Sequence, residues 1–146
     1  MKARLIHEVE GQRTFAVVLQ SGGEAVTQLK AFADREGVQA ASLTAIGAFS
    51  DAVLGYFDWQ RKEYRRNPVR DQVEVASFIG DIAWADDAPS LHVHVVLGRQ
   101  DGTALAGHLM EAHVRPTLEV ILVESPAHLH KRRDQESGLA LIDPQA

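Results

Sequence analysis

Apolar and polar residues alternate along most of this chain, a pattern that predicts β-strands with one apolar and one polar face. The strands predicted in this way span residues 4–9, 14–19, 40–49, 52–58, 73–84, 91–97, 104–110 and 118–123. Turns are expected at residues 10–12, 67–68 and 101–102, a surface loop at residues 86–89, and an interruption between two strands near residues 50–51. Gly47 lies inside a predicted strand and indicates a bulge or the close approach of another backbone.

One segment follows the 3.6-residue period of a helix instead. The residues that form its apolar face are Val26, Leu29, Phe32 and Ala33. Ser21 is expected to cap the N-terminus of this helix, because Glu24 follows it at the spacing of a capping box. Gly37 is expected to end the helix in a left-handed conformation.

The order of these elements predicts an α+β fold, with a mostly antiparallel, mixed sheet and one main helix packed on it. A length of 146 residues fits a single domain, and no repeat or long linker divides the chain. We expect the packed core to span about residues 4–124 and a polar tail to occupy residues 125–146.

Composition narrows the class of protein. A hydrophobic content of 45% excludes a disordered chain, and the absence of cysteine excludes disulfides, thiolate metal sites and a cysteine nucleophile. The net charge of −5 argues against binding polyanions through bulk charge. No signal peptide is visible at the start, and the longest uncharged stretch, residues 37–50, is shorter than the roughly 20 apolar residues that cross a bilayer. We expect a soluble, cytoplasmic protein.

Three histidines form the most informative pattern in the chain. His92 and His94 are two residues apart on one predicted strand, so their side chains point to the same face. The position of His108 depends on the hairpin that follows. A two-residue loop, Asp101 and Gly102, turns His108 away from that face, whereas a three-residue loop at 100–102 places it directly opposite His94.

The glycine in the loop favours the three-residue alternative. Such a loop is a type I turn followed by a left-handed residue, which is the position of Gly102. Opposed Cβ atoms on paired strands lie about 4.5–5.5 Å apart, close enough for two imidazoles to share a metal ion. With His92 as the diagonal third ligand, the set suits Zn²⁺ with one open coordination position, as in catalytic zinc sites. A His-x-His pair on a half-exposed strand can also be two polar side chains in contact with solvent that bind no metal.

The remaining histidines are interpreted as surface residues without a metal role. They are His7, His113, His128 and His130.

The order and spacing of several motifs resemble a known family over nearly the whole chain. These motifs are Gly23-Glu24, residues 45–49, 53–56, 73–80 and 91–94, Asp101-Gly102, Gly107-His108-Leu109, Val114, and residues 117–120 and 133–139. They resemble the plants-and-prokaryotes-conserved (PPC) domain, which follows AT-hook motifs in plant nuclear proteins and stands alone in bacteria and archaea. Ala106 departs from the family, which usually has glycine at this position.

The resemblance implies an α+β fold that assembles as a homotrimer. It also implies a metal ion, zinc, at the residues that match the histidines of the family, which are His92, His94 and His108.

The family's DNA-binding label leads to a first hypothesis, a DNA-associated or regulatory protein. A basic stretch supports it, because cations neutralise phosphates and an aromatic ring stacks on bases. The residues of this patch are Arg61, Lys62, Tyr64, Arg65 and Arg66, with Trp59 and Arg70 nearby. The alternative is a solvated hairpin tip whose charges protect an edge strand. The chain contains no Arg-Gly-Arg tripeptide, which is the DNA reader of the plant proteins.

The second hypothesis is a zinc-dependent enzyme, hydrolytic or lyase-like, acting on a small molecule. Zinc lowers the pKa of a bound water to about 7, and a carboxylate is then expected as general base or orienting group. Glu119 and Glu111 are the candidates, and Arg115 or Arg99 is a candidate for holding an anionic substrate.

The third hypothesis is a trimer without catalysis, in which the metal ties strands together or the pocket senses a ligand.

Overall fold

The computed structural model describes residues 1–85, 88–125 and 129–145. These residues form nine strands and one helix. The elements are β1 (Lys2–Val9), β2 (Gln12–Gln20), α1 (Ala25–Glu36), β3 (Ala41–Asp58), β4 (Glu63–Val69), β5 (Val73–Ala85), β6 (Ala88–Gly98), β7 (Ala104–Glu124), β8 (His130–Arg133) and β9 (Ala140–Asp143).

The strands form one mixed sheet, ordered β1-β2-β7-β3-β5-β8-β9, with β4 beside β3. All pairs are antiparallel except β5 with β8. Strand β6 pairs with both β5 and β7, and β3 also pairs with both β5 and β7, so these four strands close a circuit. The expected single α+β domain, a mostly antiparallel sheet with one helix, is therefore confirmed.

Helix α1 packs its apolar face on the inner face of this sheet. Leu29, Phe32 and Ala33 are fully buried, and the Phe32 ring meets Phe15 of β2 edge-on at 5.3 Å between centroids. On β6 the residues facing this core, Val93 and Val95, are buried as well. Because side chains alternate along a strand, His92 and His94 point to the opposite, outer face of the sheet.

The helix ends where the sequence predicts but begins differently. Gly37 has φ +66°, and its N–H bonds back to Asp34, which confirms the predicted C-terminus. The predicted cap at Ser21 is wrong. Glu24 is the N-cap, because its own carboxylate accepts the N–H groups of Val26 and Thr27 at 3.2 and 2.7 Å.

Two predicted interruptions of the sheet are wrong because strands continue through them. At Ser50 and Asp51 the register between β3 and β7 shifts, but β3 does not end. Asn67 and Pro68 belong to β4, where Pro68 pairs with Val53. Among the described strands β4 pairs with β3 alone, and such an edge position tolerates a residue without an N–H.

Two strands predicted as separate are also one. Residues 104–110 and 118–123 both belong to the continuous β7. Gly47 has the predicted role: a Cβ at this position would lie 2.2 Å from the carbonyl oxygen of Thr117, so the backbones of β3 and β7 approach as only glycine allows.

The segment predicted as a polar tail contributes two further strands, β8 and β9, to the sheet. Strand β8 lies alongside β5, where His130 pairs with Trp84. Of the predicted loop at 86–89, Asp86 and Asp87 lie outside the described residues, whereas Ala88 and Pro89 begin β6. No helix in the described part of the chain combines the length and the hydropathy that crossing a membrane requires.

Candidate metal centre

The hairpin between β6 and β7 has the three-residue loop that Gly102 favours. The N–H of Arg99 bonds to the carbonyl of Thr103 at 2.8 Å, and the N–H of Gly102 bonds to the carbonyl of Arg99 at 3.0 Å. Gly102 has φ +81°, the left-handed value expected for it. His94 therefore lies directly opposite His108, as the sequence predicts.

This register brings the three predicted imidazoles together on the outer face of the sheet. The ring centroids of His92 and His94, and those of His92 and His108, are 5.1 Å apart, and those of His94 and His108 are 5.6 Å apart. One nitrogen from each ring lies within 4.8 Å of the other two. His92 and His108 are half-buried and His94 is exposed, so the cluster opens to solvent on one side.

The surroundings keep two of these rings neutral. Burial, together with the nearby His92 and His94, lowers the pKa of His108 to about 4. Burial, followed by the effect of His92, also lowers the pKa of His94. A neutral imidazole carries the free lone pair that a metal ion needs, so both rings are ready to coordinate at neutral pH.

One atom of the cluster lacks the partner that buried polar atoms normally have. Nδ1 of His108 is buried, and no hydrogen-bond partner for it exists among the described residues. Three imidazoles without a thiolate are a donor set that suits Zn²⁺ and other late first-row metals. The residues present therefore fit a transition-metal ion.

A carboxylate and an ammonium group adjoin the cluster. Asp81 on β5 pairs directly with His92, and its Oδ2 lies 3.6 Å from Nδ1 of that ring. Its Oδ1 lies 2.7 Å from Nζ of Lys131, whose side chain is only 2% exposed. Burial opposes ionisation of Asp81, but His92 and Lys131 outweigh it and hold the pKa of that carboxyl below its ordinary value. Asp81 is thus an anion that faces both a metal-ligand candidate and a buried cation.

A small pocket of about 140 Å³ lies beside the cluster. Its lining consists of Tyr64, Ser90, Leu91, His92, His108, Lys131, Leu139, Ala140 and Leu141. The Tyr64 ring lies 4.9 Å from the His108 ring, and burial raises the pKa of its phenol, which keeps the proton. The pocket therefore combines two of the histidines with two hydroxyl-bearing residues, one lysine and an apolar wall.

Sequence reasoning missed Asp81 and Lys131 as neighbours of the site. A signal for Asp81 was present, because two-residue alternation along the strand predicted at 73–84 limits which residues face the histidine strand. No comparable signal existed for Lys131, because β8 reaches the site only through the tertiary fold.

The predicted catalytic carboxylates are not brought to the cluster. Glu111 is exposed and forms an ion pair with Arg66. Glu119 lies eleven residues beyond His108 on β7, and a rise of about 3.3 Å per residue places it far along the strand from that histidine. Neither lines the pocket. Of the two candidates for holding an anion, Arg99 lies 3.8 Å from Asp71 and Arg115 is exposed on β7.

The residues of the predicted nucleic-acid patch mostly contact neighbouring side chains within the protein. Arg65 is paired with Asp58, with Nε to Oδ2 at 2.9 Å, and Arg66 with Glu111. Nζ of Lys62 lies 3.2 Å from the centre of the Trp59 ring. Arg61 is exposed, and Tyr64 faces the histidine cluster instead of solvent. Most of the patch therefore already has an acidic or aromatic partner.

Outside the cluster, the other histidines differ in exposure. His7 is exposed on β1. His113 is exposed and lies 2.7 Å from Asp51. His130 is half-buried in β8, more enclosed than the predicted surface position, and His128 lies outside the described residues.

The chain was compared with known families and structures. The family model described as the Plants and Prokaryotes Conserved (PCC) domain matches residues 6–126. None of the curated proteins compared with the chain matches it.

Solved structures match over almost the full length. A metal-containing protein from Archaeoglobus fulgidus is 34% identical, with a TM-score of 0.83, and the match covers 97% of this chain and 99% of that one. A plant- and prokaryote-conserved (PPC) protein from Pyrococcus horikoshii is 32% identical, with a TM-score of 0.85 and coverage of 90% and 91%. A candidate DNA-binding protein from Bacteroides thetaiotaomicron is 26% identical, with a TM-score of 0.86 and 96% of both chains covered.

Proposed function

Because this chain belongs to the Plants and Prokaryotes Conserved domain family, we propose that it is a metal-binding member of that family, with one zinc ion held by His92, His94 and His108. The observation that carries this proposal is the approach of one nitrogen from each ring to within 4.8 Å of the other two. The buried, unpartnered Nδ1 of His108 and the metal-containing relative from Archaeoglobus fulgidus support it.

The ligand set decides what such an ion contributes. Three imidazole ligands leave zinc a further coordination position, so the ion would supply a Lewis acid to a small molecule. The protein supplies the positioning: Asp81 orients His92 from the adjacent strand, as a carboxylate commonly does for a metal-binding histidine. The Tyr64 hydroxyl is a neutral donor at the pocket wall.

Metal analysis of the purified protein tests the site. We expect wild-type protein to contain about one equivalent of zinc per chain. In His94→Ala we expect the affinity for zinc to fall by at least about tenfold, because each ligand is needed to hold the ion. His113→Ala is the matched control, since His113 has its own partner, Asp51, outside the cluster. Zinc retained by His94→Ala, or wild-type protein that binds no transition metal at neutral pH, would refute the proposal.

The pocket beside the histidines favours a small-molecule role at this site. An enzyme, hydrolytic or lyase-like, and a ligand sensor both use such a pocket. Measuring turnover at different zinc contents distinguishes the two roles. An enzyme loses turnover when the ion is removed, whereas a ligand sensor shows no turnover at any zinc content. Zinc-free protein with full turnover would exclude metal-dependent catalysis.

A DNA-binding or regulatory role is the alternative that the Bacteroides thetaiotaomicron relative suggests. If DNA is bound through the basic patch, affinity falls steeply with salt, and Arg65→Ala with Arg66→Ala weakens it by about tenfold or more. Because both arginines already face carboxylates, we expect weak, non-specific binding that the double variant leaves unchanged. A salt series of binding measurements with both proteins decides this.

We also propose that the protein is a homotrimer in the cytoplasm. The outer face of the sheet supports self-assembly, because it carries a row of apolar side chains that the monomer leaves in solvent. Ile46, Ile79 and Ile121 are 65%, 63% and 43% exposed. Ile121 pairs with Thr44, and Thr44 pairs with Ile79, so the row crosses three strands. Contiguous exposed apolar surface is typical of protein interfaces.

A further inference from the structure

Lys131 is a buried charge whose position the metal site alone does not explain. Its side chain is 2% exposed, although lysine is almost never buried unless it is paired. Among the described residues its partner is Asp81, which lies 2.7 Å from Nζ. An ammonium group has three N–H donors, so one acceptor leaves donor capacity unused.

Lys131 is one of the residues that line the pocket beside the histidines. Lys131 lines it together with His92 and His108, which are two of the three proposed zinc ligands. The remaining wall is largely apolar and includes Leu91, Leu139 and Leu141. Residues of β9 and the residue before it thus line a pocket that also has a lysine in its wall.

The charges in the pocket favour an anion. Asp81 Oδ1 lies 2.7 Å from Nζ of Lys131, so these two opposite charges offset each other. A divalent ion on the histidines then leaves the site with excess positive charge. The volume of about 140 Å³ equals that of about five water molecules in the liquid, which suits a molecule of a few heavy atoms.

We propose that this pocket binds a small organic carboxylate, which is held by the Lys131 ammonium beside the metal and packs its short apolar body against Leu91, Leu139 and Leu141. This inference rests on the proposed metal site and adds the class of ligand. Lys131 is the residue that determines specificity for an anion. Apolar walls distinguish the ligand from an inorganic anion, which has nothing to bury there.

Titration of zinc-loaded protein with propionate, propionamide and inorganic phosphate tests the chemistry without any variant. We expect propionate to bind at least about tenfold more tightly than propionamide, which has the same shape but no charge. Phosphate is expected to bind more weakly than propionate. Equal binding of propionate and propionamide, or tighter binding of phosphate, would overturn the proposal.

Variants then separate Lys131 from the metal. Lys131→Met is expected to retain one zinc per chain and to weaken propionate binding by about tenfold. Lys2→Met, which removes an exposed lysine on β1, leaves propionate binding unchanged. Should Lys131→Met fail to fold with Asp81 unpaired, Lys131→Gln removes the charge but can still donate a hydrogen bond to Asp81, and it carries the same expectation.

The outcomes separate the two proposals. If wild-type protein binds no zinc, the proposed function fails and this inference fails with it. If zinc is bound but propionate binds Lys131→Met or Lys131→Gln as tightly as wild type, the carboxylate proposal alone is refuted. Zinc content measured on every sample distinguishes these results.

Discussion

His108 shows how burial prepares a single side chain for coordination. Its ring is packed beside Tyr64 and the other two histidines, and its pKa is about 4 instead of the ordinary 6.5. Burial is the largest cause, since it penalises the charged ring. The same property that keeps the lone pair free also makes folding sensitive to pH.

We expect the metal-free protein to lose stability between pH 6.5 and pH 4 through His108. In this range the unfolded chain binds a proton that the folded chain does not, so the free energy of unfolding falls as the pH falls. The free energy of unfolding has its full value above pH 6.5. Through His108 it falls by about 2 kcal/mol at pH values below about 4, after allowance for solvent screening of a half-buried ring. Denaturant unfolding across this range measures it.

The comparison that isolates this effect is wild type against His108→Gln. In this variant the free energy of unfolding is expected to depend less steeply on pH over the same range. His113→Gln is expected to keep the wild-type slope or to make it steeper. Asp51 raises the pKa of His113, so this histidine changes the free energy of unfolding in the direction opposite to His108. An unchanged slope in His108→Gln would contradict the assignment.

At the scale of elements, Glu24 joins the helix to the strand that carries His108. Its carboxylate caps α1 through Val26 and Thr27, and it also accepts the N–H of Ala112 in β7 at 3.0 Å. One side chain thus satisfies donors of two elements. The start of the helix and the middle of β7 are held together by this carboxylate.

Glu24→Ala is therefore expected to destabilise the protein by about 2 kcal/mol. A lost N-cap costs about 1 kcal/mol, and the N–H of Ala112 loses its partner as well. Ser21→Ala is the control and should change stability little, although the capping-box spacing predicts the opposite. Thermal unfolding of the two variants decides which residue is the cap; equal destabilisation by both would contradict the structure.

The hairpin β6–β7 and the strands β8 and β9 contribute different parts of the candidate site. The hairpin sets the spacing of the histidines through its loop at 100–102. Strand β8 adds Lys131, and the residues before and within β9 close the apolar wall of the pocket. The histidine cluster and the wall of the adjoining pocket are therefore built by different parts of the chain.

At the scale of the whole molecule, the histidines and the exposed isoleucines lie on the same face of the sheet. Ile79 pairs directly with His94, and His94 pairs with His108. In the proposed trimer this apolar row lies between subunits. Assembly through this row would then bury surface next to the metal site.

Ile46→Lys is expected to convert the proposed trimer to monomers at micromolar concentration. Its new charge lies opposite Glu119 within the same chain, so the fold tolerates it, but burial of the charge in an interface is costly. Val9→Lys, at a 52% exposed position on β1, is the matched control and keeps three chains. Light scattering gives the molar mass; a trimeric Ile46→Lys, or a monomeric wild type, would contradict the proposal.

Local patterns were sufficient for much of the fold and for the histidine cluster. Two-residue alternation located most strands, Gly37 ended the helix, and Gly102 selected the loop that places His94 opposite His108. Each of these depends on a few consecutive residues whose backbone preferences are nearly independent of the rest of the chain. The Ser21 cap failed because Glu24 gains a partner, Ala112, that is distant in sequence.

What the sequence by itself determined is thus the hairpin, its register and the trio of imidazoles, since these follow from side-chain alternation and one left-handed glycine. Only the tertiary structure decided what surrounds them. Lys131 reaches Asp81 across fifty residues, Tyr64 turns to His108, and Arg65 and Arg66 meet carboxylates. Contacts between distant segments depend on how the closed sheet brings strands together, and no local pattern contains that information.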